Sequence, residues 1–220
     1  MTTAAAALEI DQLVRRFGRD RVLDGVSLRM SAGGVGALRG HNGSGKTTLL
    51  RVLATRLRPS SGTVRVFGFD AVKQGSEVRR HLAYLPVGGG GFGALTAAEN
   101  LRLVAAAVGA PSLPLAEALE RVGLEQHASR TVRAFSSGMK RRLGLARLLM
   151  SPAPLWLMDE PYASLDEDGR SLVDALLIDA QQQGRSVLVA SHEHDRLARY
   201  VTATVALERG RLMGLQDDAE

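Results

Sequence analysis

The sequence predicts an α/β fold built on a parallel sheet of the P-loop type, with an antiparallel β part and a helical part attached. Three observations lead there. Residues 40–48 read Gly-His-Asn-Gly-Ser-Gly-Lys-Thr-Thr: a glycine, four residues, then Gly-Lys-Thr, set between an apolar run and a run without breakers. A second apolar run, Leu155-Trp156-Leu157-Met158, closes on Asp159-Glu160-Pro161. Around both, β-rich and helical stretches alternate, the order that produces a parallel sheet.

The elements follow in chain order. Residues 8–14, 22–30 and 63–67 alternate or are β-rich and suggest the antiparallel part. Val35-Gly36-Ala37-Leu38 is a short apolar run fit for a buried strand. Residues 47–54 read as a helix whose N-terminus favours an anion. A strand ends near Tyr84-Leu85-Pro86, and Gly88-Gly89-Gly90-Gly91 then forms a hinge. Beyond it, residues 95–108 and 115–122 carry helical spacing with Pro111 and Pro114 between them. This Ala-Leu-rich lobe closes at Ala134-Phe135. Residues 166–183 read as a helix ended by Gly184, and a strand follows over 186–191. The expected organisation is one domain over 1–220, with a nucleotide-binding core (1–87 and 151–220) and a helical subdomain (88–150).

The chemistry comes from the loop and the carboxylates. Glycines let backbone N–H groups turn inward on phosphate oxygens, Lys46 can reach the β- and γ-phosphates, and the Thr47 hydroxyl can hold Mg²⁺. Asp159, at the end of an apolar strand, can hold that ion directly or through water. Glu160 is one residue on, faces a different way, and can polarise an attacking water. The alternative for this pair is a solvated acidic turn.

Composition bounds the rest. No run of 18 apolar residues exists, so nothing in the sequence reads as a membrane-spanning helix. The stretch Met1-Thr2-Thr3-Ala4-Ala5-Ala6-Ala7-Leu8-Glu9 has no basic head and is too short for a signal core. The absence of cysteine excludes disulfides, thiolate metal sites and a thiol nucleophile, and fits the cytoplasm. The net charge of +5 favours nucleotide or anionic lipid headgroups. Basic residues are spread along the chain without an aromatic-rich motif, so no nucleic acid is expected. His41, His81, His127 and His194 read as ordinary histidines, and His192 with His194 lacks a third ligand for zinc.

Three further segments add an ordered set. Phe135-Ser136-Ser137-Gly138-Met139-Lys140-Arg141-Arg142 precedes a helical run over 143–150; Ser164-Leu165-Asp166 follows the carboxylate pair; Ala190-Ser191-His192 follows a β-rich run. With the P-loop and Asp159-Glu160, this order resembles the ABC-transporter ATPases over nearly the whole chain: P-loop, signature, second carboxylate motif, D-loop and switch histidine. The resemblance implies that Phe17 stacks on adenine and that Gly40, His41, Asn42, Gly43, Ser44, Gly45, Lys46, Thr47 and Thr48 bind ATP. It implies Mg²⁺ on Thr47 and Asp159, Glu160 as general base, and Lys46 and His192 at the γ-phosphate. Ser136, Ser137 and Gly138 act in trans on nucleotide held by a second copy, with Asp166 in the D-loop. Such a Ser-x-Gly turn before a helix presents a hydroxyl, backbone amides and a positive dipole end. Phe17 as a core aromatic and His192 as a loop histidine are the alternatives.

The sequence departs from the family at several points. Val87 stands where a glutamine is common, Ser137 where glycine is usual, Met139 where glutamine is usual, His41 where proline is usual, and Arg39 interrupts an apolar strand end. Valine offers no ligand to a cation. Four successive glycines raise the entropy cost of ordering their loop, so segment 87–93 is expected to be mobile and to dock a membrane subunit. Within the family, residues 155–166 and 138–142 resemble the haem-exporter ATPases of cytochrome c maturation; export ATPases for drugs or polysaccharides have similar sequences. The implied assembly is an ATP-bound homodimer with separate membrane-spanning subunits, cytoplasmic and peripheral on the inner face of the membrane. The alternatives are a soluble non-transport ABC ATPase and a poorly active regulatory subunit.

Overall fold

Two sheets organise the chain in the computed structural model, which describes residues 6–216. Residues 1–5, on which part of the leader reading rests, lie outside the described residues. The first sheet is antiparallel, in the order β2-β1-β4-β5, from β1 (Ala6–Phe17), β2 (Asp20–Ser31), β4 (Ser61–Val66) and β5 (Phe69–Asp70). Alternation makes it: Leu8, Ile10, Leu23, Val26, Val64 and Val66 are buried on one face, while Glu9, Arg29 and Arg65 face outward. Phe67, expected in a strand, instead lies past β4 in a turn with φ 46°.

The second sheet has the order β10-β9-β3-β8-β7-β6. Its strands are β3 (Gly34–Arg39), β6 (Leu82–Leu85), β7 (Leu155–Asp159), β8 (Ser186–Ala190), β9 (Ala203–Glu208) and β10 (Arg211–Gln216). All neighbours are parallel except the edge strand β10, which runs antiparallel to β9. Every residue of β7 and β8 is buried, which is why both read as continuous apolar runs. Their two faces feed two cores. Leu155, Leu157 and Leu188 pack with α1 (Lys46–Leu53), α2 (Gly75–His81) and the antiparallel sheet. Trp156, Met158, Val187 and Val189 pack with α3 (Ala97–Val108), α4 (Leu115–Arg121), α5 (Ser137–Leu149), α6 (Glu167–Gln182) and α7 (His194–Leu197). The helical segment therefore shares its apolar core with one face of the sheet.

Two helix starts differ from the sequence reading. α5 begins at Ser137, not after the signature, because Ser136 caps it by accepting from the Met139 N–H at 3.2 Å. The cap and the packing of α5 outweigh the weak helix propensity of Gly138. Asp166 is the cap of α6, accepting from the Gly169 N–H at 3.0 Å, rather than its first helical residue. α3 starts with a full capping box between Thr96 and Glu99.

The glycine segment is not the loose hinge its composition suggests. The Phe92 N–H donates to Asn100 Oδ1 at 2.7 Å, and Asn100, 2% exposed, returns a bond to the Phe92 carbonyl at 3.0 Å. Gly89 has φ 73°, and a Cβ there would run into the Lys140 carbonyl oxygen on α5. Gly144 faces it, and a Cβ on Gly144 would stand 2.6 Å from the Gly89 oxygen. These glycines serve backbone-to-backbone contact and a left-handed turn, the other use of the residue besides freedom.

Candidate active site

The phosphate-type loop follows directly from β3. The chain leaves the strand at Arg39, turns at Gly40 and enters α1 at Gly45, whose φ of 110° is closed to ordinary side chains. The first amides of α1 have no intrahelical partner and carry the positive end of the helix dipole. Lys46, 7% exposed, lies across the loop, donating to the Gly40 carbonyl at 2.6 Å and the His41 carbonyl at 3.2 Å. Burial pulls its ammonium below the ordinary lysine value, opposed by the charges of Glu160 and Asp159. The His41 ring turns aside to the Asn42 carbonyl at 2.7 Å, so this residue serves the loop through its backbone.

Asp159 ends β7 and is 1% exposed. Its carboxylate accepts from Thr47 Oγ1 at 3.2 Å and from the Tyr84 hydroxyl at 3.3 Å. Two hard oxygens thus converge from α1 and β7 at the foot of the loop, the donor set that suits a small divalent cation. Burial pushes the Asp159 carboxyl up, and the two hydrogen bonds pull the other way. The Tyr84 phenol is pushed up to about 12 by burial, so it stays a donor at neutral pH.

Glu160 holds an uncommon backbone conformation for a residue with a side chain, φ 50°, fixed by its N–H donating to the Ala190 carbonyl at 2.7 Å. Such a conformation costs about 1–3 kcal/mol and persists where the surroundings impose it. Glu160 accepts from the His192 N–H at 3.3 Å, and its other oxygen lies 3.4 Å from His192 Nε2. The same ring nitrogen is 2.7 Å from Asn42 Oδ1. Loop, β7 end and β8 end are thereby linked around a cleft of about 540 Å³, lined by residues 42–48 with Val22, Val87, Glu160 and His192. A larger groove of about 900 Å³ lies elsewhere, between the antiparallel sheet and β9 and β10, and holds none of these residues.

Phe17, Ser136, Ser137 and Asp166 do not line the cleft. Phe17 ends β1 with 44% of its surface exposed and Arg15 stacked 4.5 Å over its ring, so it is not a core aromatic. Ser136 and Ser137 are exposed at the start of α5. Asp166 accepts from Arg142 at 2.8 Å as well as from Gly169, and these bonds hold its carboxyl below the usual range. Val87 lines the cleft with an exposed apolar side chain. Three residues near the site escaped the sequence reading. Tyr84 had a signal, since it sits on the strand beside β7. Arg141 reads as a solvated charge yet is 2% exposed. His194 reads as part of a polar loop, but its ring meets His192 edge-on at 6.3 Å, and burial holds its imidazole below the ordinary value.

The buried Asp159 carries a stability cost with a definite sign. A carboxyl whose folded-state pKa is raised binds its proton more tightly in the fold than unfolded. Its contribution to stability therefore falls as pH rises through the unfolded value, and the charged form is unfavourable at neutral pH.

Comparison with known proteins agrees with this geometry. Residues 23–163 match the ABC transporter family. The cytochrome c biogenesis ATP-binding export protein CcmA of Xanthomonas axonopodis pv. citri (strain 306) is 39% identical over 192 residues, covering 86% of this chain and 88% of that protein. A solved ATP binding subunit of an ABC transporter superposes with a TM-score of 0.89 at 27% identity, covering 96% of this chain and 90% of that one. A dimeric ATP-binding cassette in a post-hydrolysis state, bound to ADP and Pi, has the same fold, with a TM-score of 0.86 at 22% identity over 97% of this chain and 99% of that one. By the family match over residues 23–163 and the identity to its relatives, the chain belongs to the ABC transporter family.

Proposed function

We propose that this chain is the ATP-hydrolysing subunit of an exporter. It binds ATP as a homodimer and drives separate membrane-spanning subunits from the inner face of the membrane. The observation that carries this reading is the cleft lined by Lys46, Thr47, Glu160 and His192, with the buried Asp159 accepting from Thr47 behind it, while Ser136 stands exposed outside it. A cleft open on one side and an exposed capped helix start elsewhere suit two copies facing each other, each supplying the other's missing donors. The dimeric relative of the same fold supports that arrangement, and the relative named for cytochrome c biogenesis supports haem export as the cargo reading. Among the described residues no helix is long and apolar enough to cross a membrane; in this reading partner subunits supply the transport path.

In this reading residues 40–48 and Lys46 hold the phosphates of ATP, and Phe17 offers its exposed ring to the base. Thr47 and Asp159 would hold Mg²⁺, which would supply neutralisation of phosphate charge. Glu160 takes a proton from the attacking water as its oxygen bonds to the γ-phosphorus and the bond to ADP breaks. His192, held between Glu160 and Asn42, reports the γ-phosphate to both. Val87 adds no ligand, which favours a low basal rate.

Ser136→Arg tests the reading. An arginine at the exposed cap should cut ATP turnover about tenfold or more, by removing donors to the partner's phosphate, while nucleotide binding by the monomer stays within about threefold. Full turnover in this variant contradicts it.

A further inference from the structure

Arg141 is the largest side chain buried to this degree, and it does not line the phosphate cleft. Its guanidinium donates to three backbone carbonyls from two places in the chain. Nη1 reaches the Pro86 oxygen at 2.8 Å and the Asp159 oxygen at 3.3 Å, and Nη2 bonds the Val87 oxygen. A buried guanidinium is costly unless its donors are satisfied and its charge is balanced. Here the carbonyls satisfy it, and the negative charges of Asp159 and Glu160 balance it, against a burial that disfavours the cation. The planar fork is what lets one side chain serve carbonyls in several directions, which a lysine cannot match.

The geometry joins three functional parts. Arg141 belongs to α5, whose capping residue Ser136 lies one and a half turns away, about 7–8 Å along the axis. It grips the entry to the glycine segment at Pro86 and Val87, and the same segment lies against α5 through Gly89 and Gly144. It also grips the backbone of Asp159, next to Glu160.

We propose that Arg141 is a positioning residue. It locks the start of the glycine segment and the end of β7 to the signature helix, so that the three move as one body. Contact made by Ser136 with a second copy is thereby transmitted to the carboxylates of this chain's own cleft. The 87 position takes part through its carbonyl rather than its side chain. This rests on the reading of Asp159 and Glu160 given above.

The test uses the full chain with three variants. Arg141→Met keeps volume and removes every donor; Arg141→Lys keeps the charge without the fork; Gly89→Ala breaks the same contact from the loop side. Expected in Arg141→Met is a kcat lower by about tenfold or more, with KM and ATP affinity within about threefold. Amide exchange over residues 87–91 should be faster by about tenfold or more. Arg141→Lys should fall between, and Gly89→Ala should share the kcat-specific loss. If Arg141→Met is folded but retains kcat and slow exchange, or loses ATP affinity and kcat together, the proposal is overturned. If it does not fold, wild-type kcat and exchange in both Arg141→Lys and Gly89→Ala overturn it instead. Glu160→Gln in the same assay separates the two readings. Normal turnover there removes the site assignment, while the exchange arm still decides whether Arg141 holds the loop.

Discussion

Glu160→Gln is expected to lose about 10²–10⁴-fold in kcat while still binding ATP, because a positioned general base contributes roughly that factor. The structure makes the substitution a clean one. Glutamine keeps the volume and can still accept from the His192 N–H, so the link between β7 and β8 survives. The strained backbone at φ 50° is held by the bond to Ala190 and does not depend on the charge. What disappears is the carboxylate that takes a proton. With turnover blocked and binding intact, ATP should persist in the cleft and a dimer should accumulate on ATP, visible by sedimentation or size exclusion. Turnover at the wild-type rate places the base elsewhere.

Lys46→Ala is expected to weaken ATP affinity by about 10–100-fold. Hydrogen bonds to a charged group contribute about 1.5–3 kcal/mol, and 1.4 kcal/mol is a factor of ten. Two losses combine. The cation at the mouth of the loop is removed, so phosphate charge goes uncompensated in a half-closed site. The carbonyls of Gly40 and His41 also lose the donor that spans them, so the loop is less well held before nucleotide arrives. Equilibrium binding of a fluorescent ATP analogue, with circular dichroism to establish the fold, measures the effect. Unchanged affinity in a folded variant contradicts the loop assignment.

What the sequence discloses, and what it hides, has physical reasons. β7 and β8 were legible because both faces of each strand are covered, leaving continuous apolar runs bounded by polar residues. The loop was legible because glycine spacing and a lysine leave few other uses for that pattern. The start of α5 was not, since Ser136-Ser137-Gly138 reads as a turn before the helix and only the cap at Ser136 and packing against the core bring it into the helix. The glycine segment misled for a related reason. Composition reports freedom in the unfolded chain, whereas close approach of Gly89 to Lys140 is a tertiary fact. Arg141 was invisible because a basic residue in a basic stretch reads as solvated, and its burial depends on carbonyls presented by segments 54 and 55 residues earlier in the chain. β9 and β10 lie at one edge of the sheet, beyond the last motif, and α2 and α7 are only seven and four residues long. Short elements of that kind leave little periodicity to read.

The central claim is that each ATP site is completed by a second copy through Ser136. Turnover in an equal mixture of Ser136→Arg and Lys46→Ala chains tests it most directly. At ATP near the wild-type KM each variant alone should turn over slower by about tenfold or more, one for want of an intact signature and the other for want of a phosphate grip. In a mixed dimer the intact loop of one chain meets the intact cap of the other, restoring one site of the two. With random pairing, activity should recover to about a quarter of wild type. If mixed dimers form and activity stays at the level of the separate variants, the site is not shared between copies and the account is wrong.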